Sequence, residues 1–126
     1  MPRTLPIPGR KPKVVSKFFS QQQHQIDALF EKGFALHQQG QLDQAKTIYQ
    51  QVLDRQATHF DSMHLLGVIA YQTQNLALAV ELIGKALQIN PKSAAAYSNR
   101  GNALLAMNQL NEALSSFDQA IALEPN

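Results

Sequence analysis

The chain repeats itself every 34 residues. Tyr97, Gly101, Leu104, Ala113, Phe117, Ala120 and Pro125 follow one another in its last part. One period earlier stand Met63, Gly67, Ala70, Ala79, Ile83, Ala86 and Pro91, and one period before that Leu29, Gly33, Leu36, Ala45, Tyr49, Val52 and Ala57. A fixed period of this length specifies a stack of small units, each touching its neighbours, and not a globule closed about one centre.

Each unit holds two apolar stretches at three- and four-residue steps, the spacing of a helical stripe. Helices are predicted near 20–39, 42–55, 60–73, 76–89, 94–107 and 111–123. The connections are short and polar, Gln38-Gln39-Gly40 in the first unit and Met107-Asn108-Gln109 in the third, so paired helices must run antiparallel. Gly40 and Asn108 suit a left-handed helix end. Gly33, Gly67 and Gly101 stand where each first helix should press on its partner, with Ala45, Ala79 and Ala113 at the matching points. Ala86 and Ala120 are small toward the following unit. Pro91 and Pro125 stop the second helices, and Ser93 is a good N-cap for the next. Unit one departs: Val52 replaces the small residue and Ala57 the proline, so its second helix is expected to end less sharply or to pack wider.

These positions resemble the tetratricopeptide repeat, over three units of about 26–59, 60–93 and 94–126. The resemblance implies an all-α, right-handed α-solenoid of three tandem helix hairpins, and a protein–protein interaction scaffold. The stretches His59–Ala70 and Tyr97–Ala103, with Leu65-Leu66-Gly67 and Asn99-Arg100-Gly101-Asn102, are similar to repeats preceding the catalytic region of bacterial O-linked N-acetylglucosaminyltransferase-like proteins. That likeness implies a longer parent chain, for which this one would be a substrate-recognition part. No catalytic residue is carried over.

Charge is unevenly spread. Of eleven basic residues, Arg3, Arg10, Lys11, Lys13 and Lys17 fall in the first 25 positions, where there is no acid; six basic and nine acidic residues follow. Pro2, Pro6, Pro8, Gly9 and Pro12 rule out a helix through the start. Residues 1–19 are therefore expected to be a disordered basic tail and 20–126 the repeat domain. No aromatic residue interleaves the tail's charges, so a solvated tail is the expectation, not a nucleic-acid or membrane contact. Phe18 and Phe19 either cover the open N-terminal end of the stack or anchor a partner. No cysteine is present, which fits a reducing cytoplasm, and no apolar run is long enough to span a membrane.

The chemistry-bearing residues form no catalytic or metal pattern. His59 and His64 are five apart and His24 and His37 thirteen apart, spacings that do not share a helix face. There is no nucleophile elbow, glycine-rich phosphate loop or carboxylate pair. No metal, cofactor or catalysis is expected.

The family's geometry instead implies a concave groove lined by the first helices. Its positions here are Asp27, Phe30, Glu31, Phe34, His37 and Gln38; then Asp61, His64, Leu65, Val68, Tyr71 and Gln72; then Ala95, Ser98, Asn99, Asn102, Leu105 and Ala106. The candidate peptide-binding residues among them are Phe30, Phe34, His37, His64, Leu65, Val68, Tyr71, Gln72, Ser98, Asn99, Asn102 and Leu105. Asn99 matches the asparagine ladder of O-linked N-acetylglucosaminyltransferases, but Glu31 and Leu65 interrupt it; Asn99 and Asn102 either hold a peptide backbone or are simply solvated or bonded to a neighbouring turn. Phe34 and Val68 either line the groove or pack between helices. The family's carboxylate clamp needs basic side chains where unit one carries Phe30 and Phe34. Leu114, Phe117, Ile121 and Leu123 are expected to be partly exposed on the last helix, which makes self-association through it a further expectation.

Overall fold

The computed structural model describes residues 13–125, with side chains described from Ser16 onward. Six helices follow in order: α1 Lys13–Gln38, α2 Leu42–Arg55, α3 Phe60–Gln72, α4 Leu76–Ile89, α5 Ala94–Ala106 and α6 Leu110–Leu123. Among the described residues there is no strand. Each helix packs on the one before it, and α3 also touches α5 across a repeat boundary.

The three hairpin turns share one geometry. Gly40, Gln74 and Asn108 lie one period apart and all have positive φ, at 79°, 66° and 60°. The following amide closes each turn by reaching back to the last helical turn: Gln41 to the Leu36 carbonyl at 2.9 Å, Asn75 to Ala70 at 2.8 Å and Gln109 to Leu104 at 2.9 Å. This is the Schellman arrangement, which satisfies carbonyls that a helix end leaves open. Gly40 and Asn108 meet the expectation; Gln74 was not legible, because glutamine has no preference for this backbone region.

Close approach is set by the glycines. A Cβ added at Gly67 would lie 2.5 Å from Ile83 Cγ1, one at Gly33 2.8 Å from Ile48 Cγ2, and one at Gly101 2.6 Å from the Phe117 ring. Opposite them Ala45, Ala79 and Ala113 are buried. The apolar layers run across the repeat boundaries: Ala45 and Tyr49 of α2 join Leu66 and Ile69 of α3, Ala70 and Ala79 join Ala103, and Ile83 and Leu87 join Ala96. Units therefore stabilise one another, because one hairpin alone cannot bury both of its faces.

The irregular first unit does not loosen the stack. Val52 is fully buried, and α2 has the same 14 residues as α4 and α6. Gln56, Asn90 and Glu124 end the three helices with amides bonded to Val52, Ala86 and Ala120 at 2.8, 2.9 and 3.0 Å. The expected less sharp end of α2 is thus corrected: the helix stops at the same point of the period as α4 and α6, with the same closing amide bond, without a proline after it. His59, one period before Ser93, caps α3 by accepting the Ser62 amide at 3.2 Å, while Ser93 accepts the Ala96 amide at 3.1 Å.

At the N-terminus α1 begins seven residues before the predicted start. Pro12 is the last proline before it, and proline suits the entry to a helix; nothing in the sequence then breaks the helix. Residues 13–19 of the expected tail are accordingly helical, and residues 1–12 lie outside the described residues. From Ser16 onward Ile26 is the first buried residue of α1, and Phe18 and Phe19 are 54% and 50% exposed. Their rings touch edge to face at 6.0 Å. They lie about two turns before Ile26, which sits with Gln22 beside Arg55 at the end of α2.

Candidate functional site

Helices α1, α3 and α5 share one face, and two hydrogen-bonded rungs tie them together. Both rungs join residues 35 positions apart, one period and one residue. On the first, the His37 ring donates from Nε2 to Gln72 Oε1 at 2.7 Å. Its Nδ1 is hydrogen-bonded to the Tyr49 hydroxyl at 3.0 Å. On the second, Asn99 Nδ2 donates to His64 Nε2 at 2.9 Å. On the second rung the His64 ring must be unprotonated at Nε2, because the Asn99 NH2 can only donate to it.

The electrostatics follow from burial. His64 is 8% exposed; desolvation lowers its pKa below the ordinary histidine value, against the opposing pull of the Asp61 carboxylate. The Tyr49 phenol is fully enclosed, and burial, reinforced by Asp61, pushes its pKa up to about 12. Both shifts favour the neutral forms that the rungs use.

The twelve candidate residues fall into three groups. Phe30, Leu65 and His64 belong to the packing and not to the open surface. Phe30 stacks on Tyr49 at 5.8 Å and lies 5.0 Å from the His59 ring, Leu65 packs on the core between units one and two, and His64 lies against Phe60 at 5.5 Å. Phe30 and Leu65 are half-buried and His64 is buried, so less of these three side chains is open than of Phe34, Tyr71, Asn102 and Leu105 on the accessible face. His37, Gln72 and Asn99 are occupied as rungs. The remainder, Phe34, Val68, Tyr71, Ser98, Asn102 and Leu105, form the accessible face. Phe34 and Tyr71 are each 36% exposed and Leu105 is 52% exposed; Val68 and Ser98 are half-buried and Asn102 is open.

Two rows result, Phe34–Val68–Asn102 and His37–Tyr71–Leu105, each stepping by one period. Both rows are among the positions expected from the sequence; the rungs were missed, since a pairing between side chains 35 residues apart has no local signature. Charge is one-sided here. The inner positions of the first helices carry Asp27, Glu31 and Asp61 and no lysine or arginine. Among the described residues no three potential metal ligands converge, and no helix is long and apolar enough to cross a membrane.

The architecture defines a class: an α-solenoid of helix hairpins with an accessible inner face. The tetratricopeptide repeat model matches residues 28–97 and a second model of the same repeat matches 94–126, and the chain belongs to the tetratricopeptide repeat family. It is 30% identical over 91 residues to protein O-mannosyl-transferase TMTC1 of Mus musculus, a match covering 69% of this chain and 10% of that protein. It is 28% identical over 98 residues to tetratricopeptide repeat protein 7B of Homo sapiens, covering 78% and 12%. The chain thus spans about a tenth of the length of these curated relatives. Among solved structures, the first tetratricopeptide domain of Spaghetti (RPAP3) bound to the HSP90 peptide SRMEEVD superposes with a TM-score of 0.77 at 28% identity, over 80% of each chain. A mutant O-GlcNAc transferase of Thermobaculum terrenum gives a TM-score of 0.80 at 26% identity, over 83% of this chain and 20% of that one.

Proposed function

We propose that the chain is a protein-interaction module whose inner face receives an extended or helical peptide bearing apolar side chains and no net negative charge. The observation that carries this is the exposure of Phe34, Tyr71 and Leu105 on three successive first helices. Such anchors suit the helix-in-groove mode, where apolar residues at three- and four-residue steps give the affinity. Asn102 adds a donor and an acceptor for a ligand backbone. Binding is recognition alone; no chemical step is assigned to the chain.

The Spaghetti domain, a structural neighbour, binds an HSP90 peptide, which supports peptide recognition on this fold. Its ligand SRMEEVD carries three acids, however, and the inner positions here carry acids and no base. We therefore expect a different ligand class. Fluorescence anisotropy with SRMEEVD and with an amphipathic, lysine-containing helical peptide tests this. Saturable binding of the second only is expected, lost on combining Tyr71→Ala with Asn102→Ala while helical content is kept. Tight binding of SRMEEVD would overturn it.

A second reading is favoured by the O-GlcNAc transferase superposition: the chain as the substrate-presenting part of a larger glycosyltransferase. Asn99, which would continue an asparagine ladder, is engaged by His64. The reading frame beyond Asn126 decides this reading, which fails unless a transferase region follows. A cytoplasmic location is proposed on the absence of cysteine.

A further inference from the structure

We propose that the chain associates head to tail, the outer flank of α6 docking on α1 of a second copy in the register that α4 and α5 keep within one chain. The internal contact is the template. Leu87 of α4 is 7% exposed because α5 covers it, whereas Ile121, its counterpart on α6, is 59% exposed. Leu114, the counterpart of half-buried Val80, is 60% exposed. The complementary half is open at the other end. Ser62 of α3 and Ala96 of α5 are fully buried against the preceding hairpin, while their counterpart on α1, Ala28, is exposed. Among the described residues, one open copy of each half of an interface that they already form twice is therefore present.

Charge selects a second copy as the occupant. Inside the chain Arg100 borders a depression of about 590 Å³ with Val80, Gly84, Leu87 and the ion pair Glu81–Lys85, and its Nε is buried without a partner. Gly84, opposite, has no side chain to offer. One period on, Gly84 becomes Asp118; two periods back, Arg100 becomes Lys32. Docking in this register sets Lys32 of one copy opposite Asp118 of the next, an opposite-charge pair where the internal contact has Arg100 opposite Gly84. α6 carries Glu112 and Asp118 and no base, so its open flank suits a basic surface. Gln22, Gln25 and Ile26 of α1 lie beside Arg55 at the end of α2, and among the described residues Ala28 and Lys32 are exposed. The two surfaces differ, so every docking leaves one of each unoccupied and growth continues past a dimer.

Sedimentation equilibrium of the full chain, from about 10 μM to about 1 mM, tests this. The average mass is expected to rise with concentration beyond two copies, and less steeply in high salt. Asp118→Lys and Lys32→Asp should each weaken association at least about ten-fold, because each places like charges together. Mixed in equal amounts the two variants should associate again, since every alternating junction then pairs opposite charges. Circular dichroism checks that both remain helical, and Ile121→Ser, which leaves the charges alone, should also weaken association. A monomer throughout the range, a mass that stops at two copies, or a mixture no more associated than its components would overturn the proposal.

Discussion

The Asn99 amide donates to His64 Nε2 at 2.9 Å, joining α5 to α3 across a repeat boundary. The same displacement of 35 residues joins His37 to Gln72 one boundary earlier. Each unit thus contributes a side chain to its neighbour, and the α3–α5 rung uses His64 Nε2 as an acceptor.

Acid should weaken the fold through His64. Its pKa is lowered in the folded chain from the ordinary 6.5, so the unfolded chain binds the proton first and stability falls as pH drops below about 6.5. The loss stops once pH passes below the folded value. Urea midpoints measured between pH 7.5 and 4.5 should fall less steeply in His64→Gln than in the wild type; the other three histidines are common to both proteins. Equal slopes would show that His64 is not the group responsible.

Tyr49 acts at the other end of the scale. Its pKa is raised from 10.0 to about 12, so stability is fully present below pH 10 and falls as pH rises between these values. A tyrosinate absorbance titration should show one phenol ionising near 12 while the chain stays folded, and Tyr49→Phe should remove that phase.

The first two turns should respond oppositely to glycine. Gly40 has φ 79° with nothing within 4 Å of an added Cβ, so Gly40→Ala should destabilise through backbone strain alone, by about 1 kcal/mol. Gln74 holds φ 66°, and Gln74→Gly should stabilise by up to about 1 kcal/mol. Thermal unfolding of both variants provides the comparison.

Gly67→Ala is a packing test. The new methyl would meet Ile83 Cγ1 at 2.5 Å and the Ile83 amide nitrogen at 3.2 Å. A loss of roughly 1–3 kcal/mol is expected, part of it recovered by Ile83→Ala in the same chain. If the pair shows no coupling in denaturant titrations, this contact does not limit the approach of α3 to α4.

The His59 cap gives a last measurement. His59→Ala removes the acceptor for the Ser62 amide, seen at 3.2 Å, and should destabilise by about 1 kcal/mol. His59→Ser, which copies Ser93, should restore most of that loss.

The period, the helix pairs, the glycine contacts and the left-handed ends at Gly40 and Asn108 were all legible in the amino-acid sequence. These are short-range properties: apolar spacing, missing side chains and backbone preference act within a few residues, and a 34-residue repeat multiplies each signal three times. The position of the inner face was legible too, through the resemblance that the repeat supports. Tertiary structure alone decided which of its residues remain open. Phe30 and Phe34 are four positions apart on one helix, yet Phe30 is held against Tyr49 and His59 while Phe34 faces outward. His64 and Asn99 read as separate polar groups until α3 and α5 lie side by side. A hydrogen bond between residues 35 apart, and the pKa shift that burial imposes on one partner, exist only once the hairpins have stacked, because both depend on which neighbour excludes the water.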